Sequence, residues 1–157
     1  MGEPDIDFDS VECYFGNIDI RHHLCRVDGD RLENTRLLAN RYIEAVESLP
    51  VENVAIYELL PIEDESRKLP KSGYYKDKPF WGSWEERNEC RLLFREQLEK
   101  KATRAKIIRW VDGLTNKNGQ LDFDYMEKPQ SIHLSRQAYP HWTGVEQTTA
   151  SLEDFFV

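Results

Sequence analysis

The chain has 157 residues, and its 21 lysines and arginines against 29 aspartates and glutamates leave a formal charge of −8. That length suits one domain, which takes about 100–200 residues, and 39% hydrophobic with 11% aromatic residues supply a core and exclude wholesale disorder. No apolar run approaches the roughly 20 residues of a membrane helix, the acidic start Met1-Gly2-Glu3-Pro4-Asp5 is the reverse of a secretory leader, and the acidic balance disfavours broad contact with nucleic-acid phosphate.

These features predict a soluble, cytoplasmic protein with no membrane partner. Cys13, Cys25 and Cys90 are odd in number and widely spaced, giving neither a disulfide framework nor a metal knuckle, so they are expected as free thiols.

The first ordered element is expected over 10–15, where Ser10-Val11-Glu12-Cys13-Tyr14-Phe15 is rich in strand formers and is closed by Gly16-Asn17. After the turn chemistry of Asp28-Gly29-Asp30, the apolar positions Leu38, Tyr42, Ala45 and Leu49 recur at spacings of 4, 3 and 4, which predicts an amphipathic helix stopped at Pro50. Val54-Ala55-Ile56-Tyr57-Glu58-Leu59-Leu60 reads as a buried strand ended by Pro61, completing a strand–helix–strand crossover.

Residues 63–83 form a long loop without a sustained period. Ser83, with Glu86 three residues on, is a helix start, and Cys90, Phe94, Leu98 and Ala102 repeat every four residues behind it. That helix is expected to continue, straight or after a break, through Ile107, Ile108, Val111 and Leu114 to a stop at Asn118-Gly119. A third strand is expected over 121–126, where apolar and acidic residues alternate, and a helix or turn near Ser131.

The expected architecture is therefore α/β, with a short, mainly parallel sheet of three or four strands flanked by helices. Residues 1–146 form one domain and 147–157 an interaction tail. So small a sheet has a limited core, which a homodimer or another partner chain would complete.

The string Phe15-Gly16-Asn17-Ile18-Asp19-Ile20-Arg21-His22-His23 follows a strand, at the edge where ligands bind in open α/β sheets. With Tyr57-Glu58-Leu59-Leu60-Pro61-Ile62 ending the next strand and Ser131-Ile132-His133-Leu134-Ser135 further on, it resembles the SGNH (GDSL-like) hydrolase family over residues 10–140, the later portion of that flavodoxin-like sandwich. The resemblance implies an ester or acyl hydrolase in which a Ser attacks, a His is its base, an Asp three residues before the His orients it, and Gly and Asn donors form an oxyanion hole. His133 matches the family's catalytic His, and Gly16 and Asp19 match the Gly and Asp of its third block.

The chain also departs from the pattern. Nothing before residue 10 supplies the Gly-Asp-Ser nucleophile block, Gln130 occupies the place of the orienting Asp, and Ile18 falls where the Asn is expected, with Asn17 next to it. The expectation is a protein that has lost its nucleophile and binds a small acyl or sugar-like ligand through Gly16, Asn17, Arg21 and His22, with Asp19 and His133 as the remnants of catalysis. Three alternatives stand beside it: half of a composite enzyme that borrows its nucleophile, with His133 as general base; a fold-level analogy without functional content; and a protein-interaction accessory factor that docks through a C-terminal Leu-x-x-Phe-Phe tail.

Each residue has a plainer reading as well. His133 between two aliphatics can be a hydrogen-bonded, half-buried histidine, and Asp19 with Arg21 can pair or cap a turn. His22 and His23, adjacent on a strand, face opposite ways and lack zinc-ligand spacing, so no metal and no cofactor is expected. A metal-assisted phosphoesterase would use Glu58, Asp122, Asp124 and Glu127 at strand ends, although Asp122 and Asp124 equally describe the wet face of an edge strand.

The loop text from Tyr74 to Trp84 mixes aromatics and lysines, which either stacks sugars and bases or anchors the loop on the body. Lys100, Lys101, Arg104, Lys106 and Arg109 read as the solvated side of a helix. At the C-terminus, Leu152, Phe155 and Phe156 resemble the sliding-clamp binding (PIP-box-like) motif, with Thr149 in the place of its Gln and Gln147 two residues too early. A helical turn would set these three side chains on one side to dock on a clamp, on another protein or on the chain's own core.

Overall fold

In the computed structural model, residues 9–66, 76, 81–110, 113–127 and 133–138 are described. Strand β1, Ser10–Cys13, alternates exposed and half-buried residues, and β2, Asn53–Tyr57, buries Val54 and Ile56 while Ala55 and Tyr57 turn the other way. The two pair in parallel with Val11 opposite Val54 and Cys13 opposite Ile56. Strand β3, Lys106–Ile108, pairs in parallel on the far side of β2, with Ile107 opposite Ile56. The sheet is thus three-stranded and all parallel in the order β1-β2-β3, so the α/β expectation holds at three strands.

Two helices make the crossovers. Helix α1, Arg31–Glu47, opens at Asp30, whose carboxylate accepts the amides of Leu32 and Glu33. Helix α2, Trp84–Lys101, opens on the expected capping box between Ser83 and Glu86. The two share one core with the sheet: Ala39, Ile43 and Val46 from α1, Cys90, Phe94 and Leu98 from α2, and Val54 and Ile56 from β2. On the opposite face of the sheet, the Tyr57 hydroxyl donates to Glu12 at 2.8 Å. No helix among the described residues is long and apolar enough to cross a membrane.

Three expectations are corrected. The stripe of α1 is turned by one residue, because Thr35, Ala39, Ile43 and Val46 are the buried positions while Ala45 lies exposed and Leu38 and Tyr42 flank the core. Small Thr35 and Ala39 let α1 approach α2, and the Thr35 hydroxyl is satisfied by donating to the Arg31 carbonyl at 2.7 Å.

Next, the third strand is Lys106–Ile108 rather than 121–126. The latter segment holds a 3-10 turn, Phe123–Tyr125, because the Asp122 carboxylate accepts the Asp124 amide and folds the chain locally; only the bridges Thr115 to Leu121 and Met126 to Leu134 remain strand-like.

Finally, α2 does not continue through Ile107. After Lys101 the backbone turns extended at Ala102, and Glu47, at the end of α1, captures the next three amides, from Thr103 at 2.6 Å, Arg104 at 2.8 Å and Ala105 at 3.2 Å. Amides held by a side chain cannot feed a helix, and the β-branched pair that follows joins the sheet.

Those backbone donors, Arg104's foremost and then Ala105's and Thr103's, hold the Glu47 carboxyl down from 4.5 to about 2. A lowered folded-state value means the contribution is fully present above the unfolded value and is lost as pH falls toward the folded one. Glu47→Gln is expected to lower stability by about 1 kcal/mol near neutrality, the small figure reflecting solvent screening at a half-buried surface group. It should also flatten the loss of stability below about pH 4.5. Urea unfolding of both proteins across that acid range checks this, and parallel curves would show that the carboxylate does not anchor β3.

Candidate functional site

All three strands point the same way, so the segments after them gather at one edge. After β1, Gly16 takes a left-handed φ of +101°, and a Cβ there would stand 3.3 Å from Phe94 Cζ; only glycine lets the loop lie this low over the core. The chain then coils into a π-helical turn, Asp19–His23, closed by the Leu24 amide donating to the Asp19 carbonyl at 2.9 Å. Such wide turns recur at functional sites.

The turn distributes the predicted residues. Asp19 meets His23 Nδ1 at 3.2 Å on the partly exposed side, and His22 is buried. Arg21 is only 2% exposed, and its Nε donates at 2.8 Å to Glu63, which is 0% exposed. Asn17 lies between Gly16 and this turn, and its Oδ1 is buried with no hydrogen-bond partner among the described residues. An unpaired buried oxygen costs about 1–3 kcal/mol.

A second set of charges comes from α2, whose Arg87, Arg91 and Arg95 stand at successive intervals of four. Arg87 donates to the Glu63 carbonyl and the Glu65 carboxylate, each at 3.3 Å. Arg91 lies 3.6 Å from Glu58 and reaches the Leu59 carbonyl, while Arg95 donates to Glu58 at 3.2 Å. Burial pulls the Arg91 pKa down and Glu58 opposes that pull; the guanidinium stays charged at any ordinary pH.

The indole N–H groups of Trp84 and Trp110 donate to the carbonyls of Ile62 and Leu59. Tyr14 is enclosed beside Arg21 and Glu63, and burial above all, with Glu63 adding, pushes its hydroxyl up to about 12. Residues 58–65 are thus held by buried side chains on one side and form a rigid floor behind the Gly16–Asp19 loop.

Neither a protein family nor a curated protein matches the chain.

Gly16, Asn17, Asp19, Arg21 and His22 all sit at the strand ends. Arg21 is committed to Glu63 and serves the floor. His133 is exposed, in a separate segment whose backbone pairs with Glu127 and whose neighbours Leu134 and Ala138 join a second cluster with Leu60, Leu114, Leu121 and Met126. Among the described contacts the Asp19 carboxylate meets His23, not His133.

Gln130, most of the aromatic loop text, and Leu152, Phe155 and Phe156 lie outside the described residues. Glu58, a candidate metal ligand by sequence, is held by two arginines, Asp122 caps its turn, and no three His, Cys, Asp or Glu gather as metal ligands among the described residues. The basic run is spent on Glu96 by Lys100, on Asn40 by Lys101, on the end of α1 by Arg104 and on Glu99 by Arg109.

The sequence reading missed Glu63, Arg87, Arg91 and Arg95. The signal was present in α2, where 87, 91 and 95 fall beside 90, 94 and 98 on the same helical face, which places arginines next to the core stripe rather than opposite it.

Proposed function

We propose that this chain is a binding protein of the SGNH-hydrolase type, which receives a small acyl or sugar-like ligand on the Gly16–Asp19 loop and does not by itself cleave esters. The observation that carries the reading is the Asn17 side chain, whose Oδ1 is buried and unpaired at the strand-end edge. A ligand hydroxyl would donate to that oxygen, and the amide nitrogen of the same side chain would donate to an acyl carbonyl. The floor of Arg21, Glu63 and Arg87 fixes the loop before the ligand arrives, which limits the ordering entropy lost on binding. A composite hydrolase is the catalytic form of the same reading: a Ser supplied by another chain attacks the acyl carbon, and His133 takes its proton.

Amide NMR titration with N-acetylglucosamine, which carries both an acyl group and hydroxyls, tests the binding. Saturable shifts centred on Gly16–Asp19 are expected, and Asn17→Ala should remove them; flat amides there would end the proposal. Labelling with a fluorophosphonate probe separates binding from catalysis. The isolated wild-type chain should carry no adduct, whereas an adduct on one Ser that disappears in His133→Ala would make the chain a hydrolase in its own right.

A further inference from the structure

We propose that the sheet face turned away from the helices is the contact surface of a homodimer, in which two copies stack these faces about a twofold axis running along β2. This does not depend on the binding function proposed above. All-parallel sheets are normally covered on both faces. Here α1 and α2 both pack on the face of Val54 and Ile56. The other face carries Glu12, Ala55, Tyr57, Lys106 and Ile108, of which Glu12 and Lys106 are exposed and the rest half-buried. A shallow groove of about 280 Å³ crosses it, bordered by Glu12, Ala55, Lys106 and Ile108.

The arrangement of charge on this face selects a second copy as its cover. In register, Glu12 lies opposite Ala55 and Ala55 opposite Lys106, so one row across the sheet runs acidic, small, basic. With strands about 4.8 Å apart, the two charges stand roughly 10 Å from each other on either side of Ala55. Glu12 accepts the Tyr57 hydroxyl through Oε2, and Lys106 has no hydrogen bond or ion pair among the described residues. A twofold interface uses the same patch on both partners, so the patch must complement itself. Two stacked faces can be related by a twofold along the strands or by one across them. The axis along β2 reverses the strand order at constant height, so Glu12 of each copy comes over Lys106 of the other, and Ala55 over Ala55. The axis across the strands sets Glu12 over Glu12 and Lys106 over Lys106, which like-charge repulsion disfavours. The small side chain at the centre lets the sheets approach, and the methylenes of Lys106 lie along the groove.

Such a dimer is weak and salt-sensitive. Its three short strands offer less surface than the about 800 Å² per partner of a standard interface, and its exposed ion pairs are screened by salt. An axis along the strands also keeps the strands of both copies pointing the same way, so the two Gly16–Asp19 loops open at the same end of the dimer.

Sedimentation equilibrium of the whole protein at low salt, from tens of micromolar to about 1 mM, tests this. The expected result is a monomer that passes to a dimer within that range and dissociates several-fold more readily in high salt. Glu12→Lys and Lys106→Glu, each at an exposed position, should each weaken the dimer by at least about tenfold, because a single reversal sets like charges opposite one another twice. Mixing the two variants, or placing both reversals in one chain, should restore association to near the wild-type level, a recovery that misfolding could not produce. A monomer at every concentration, a dimer indifferent to the single reversals, or no recovery in the mixture or the double variant would each overturn the proposal, and the first would leave this face to a different protein.

Discussion

Arg21→Met should lower folding stability by about 3–5 kcal/mol, because it leaves the Glu63 carboxylate fully enclosed without its guanidinium. Against a typical total of about 5–15 kcal/mol, that loss takes a large share of the margin. The size comes from withdrawing the guanidinium from a buried carboxylate and not from the intrinsic worth of the pair, since desolvating two ions offsets most of their attraction. Arg21→Met combined with Glu63→Leu should therefore recover most of the loss. Urea unfolding of wild type, each single variant and the double variant measures the coupling. Additive losses would mean that the two side chains act independently, and the rigid floor behind the loop would have to be assigned to Arg87 alone.

Phe94→Ala should cost about 3–5 kcal/mol through lost burial and the cavity left behind. The ring is 1% exposed, packs with Tyr42 at a centroid distance of 6.0 Å, and lies directly under Gly16. Its removal withdraws the support of the Gly16–Asn17 loop as well as core volume. Leu98→Ala, on the same stripe of α2 but not beneath that loop, should cost a similar 2–5 kcal/mol while leaving the Gly16–Asp19 amide signals in place. If both variants moved those signals equally, Phe94 would be a core residue with no special tie to the site.

The architecture was legible where a single local rule governs an element. The strand formers in 10–15 and 54–60, whose strands run 10–13 and 53–57, the capping box at Ser83 and Glu86, and the four-residue stripe of Cys90, Phe94 and Leu98 each carry their own signal, and together they dictate a parallel α/β sheet. Errors arose where a distant side chain decides. Nothing local to Thr103-Arg104-Ala105 shows that Glu47, 56 or more residues earlier, will capture their amides and redirect the chain into β3. The stripe of α1 was misplaced because Thr35 and Ala39 are small or polar and are buried for closeness to α2, not for hydrophobicity. At the site, the position of the 16–23 string at a strand end was readable from sequence, while its fixation by Glu63 and the arginines of α2 required tertiary pairing across 42 and 24 residues.

The strand order β1-β2-β3 leaves β1 and β3 as the outer strands among the described residues. Outer strands invite other chains to add to them, and short length and charge are the usual defences. Here β1 has four residues and carries Glu12, and β3 has three and carries Lys106, both charges exposed. Both rims are therefore short and carry an exposed charge, the features that disfavour edge-to-edge pairing, and they belong to the same segments that align the loops of the site.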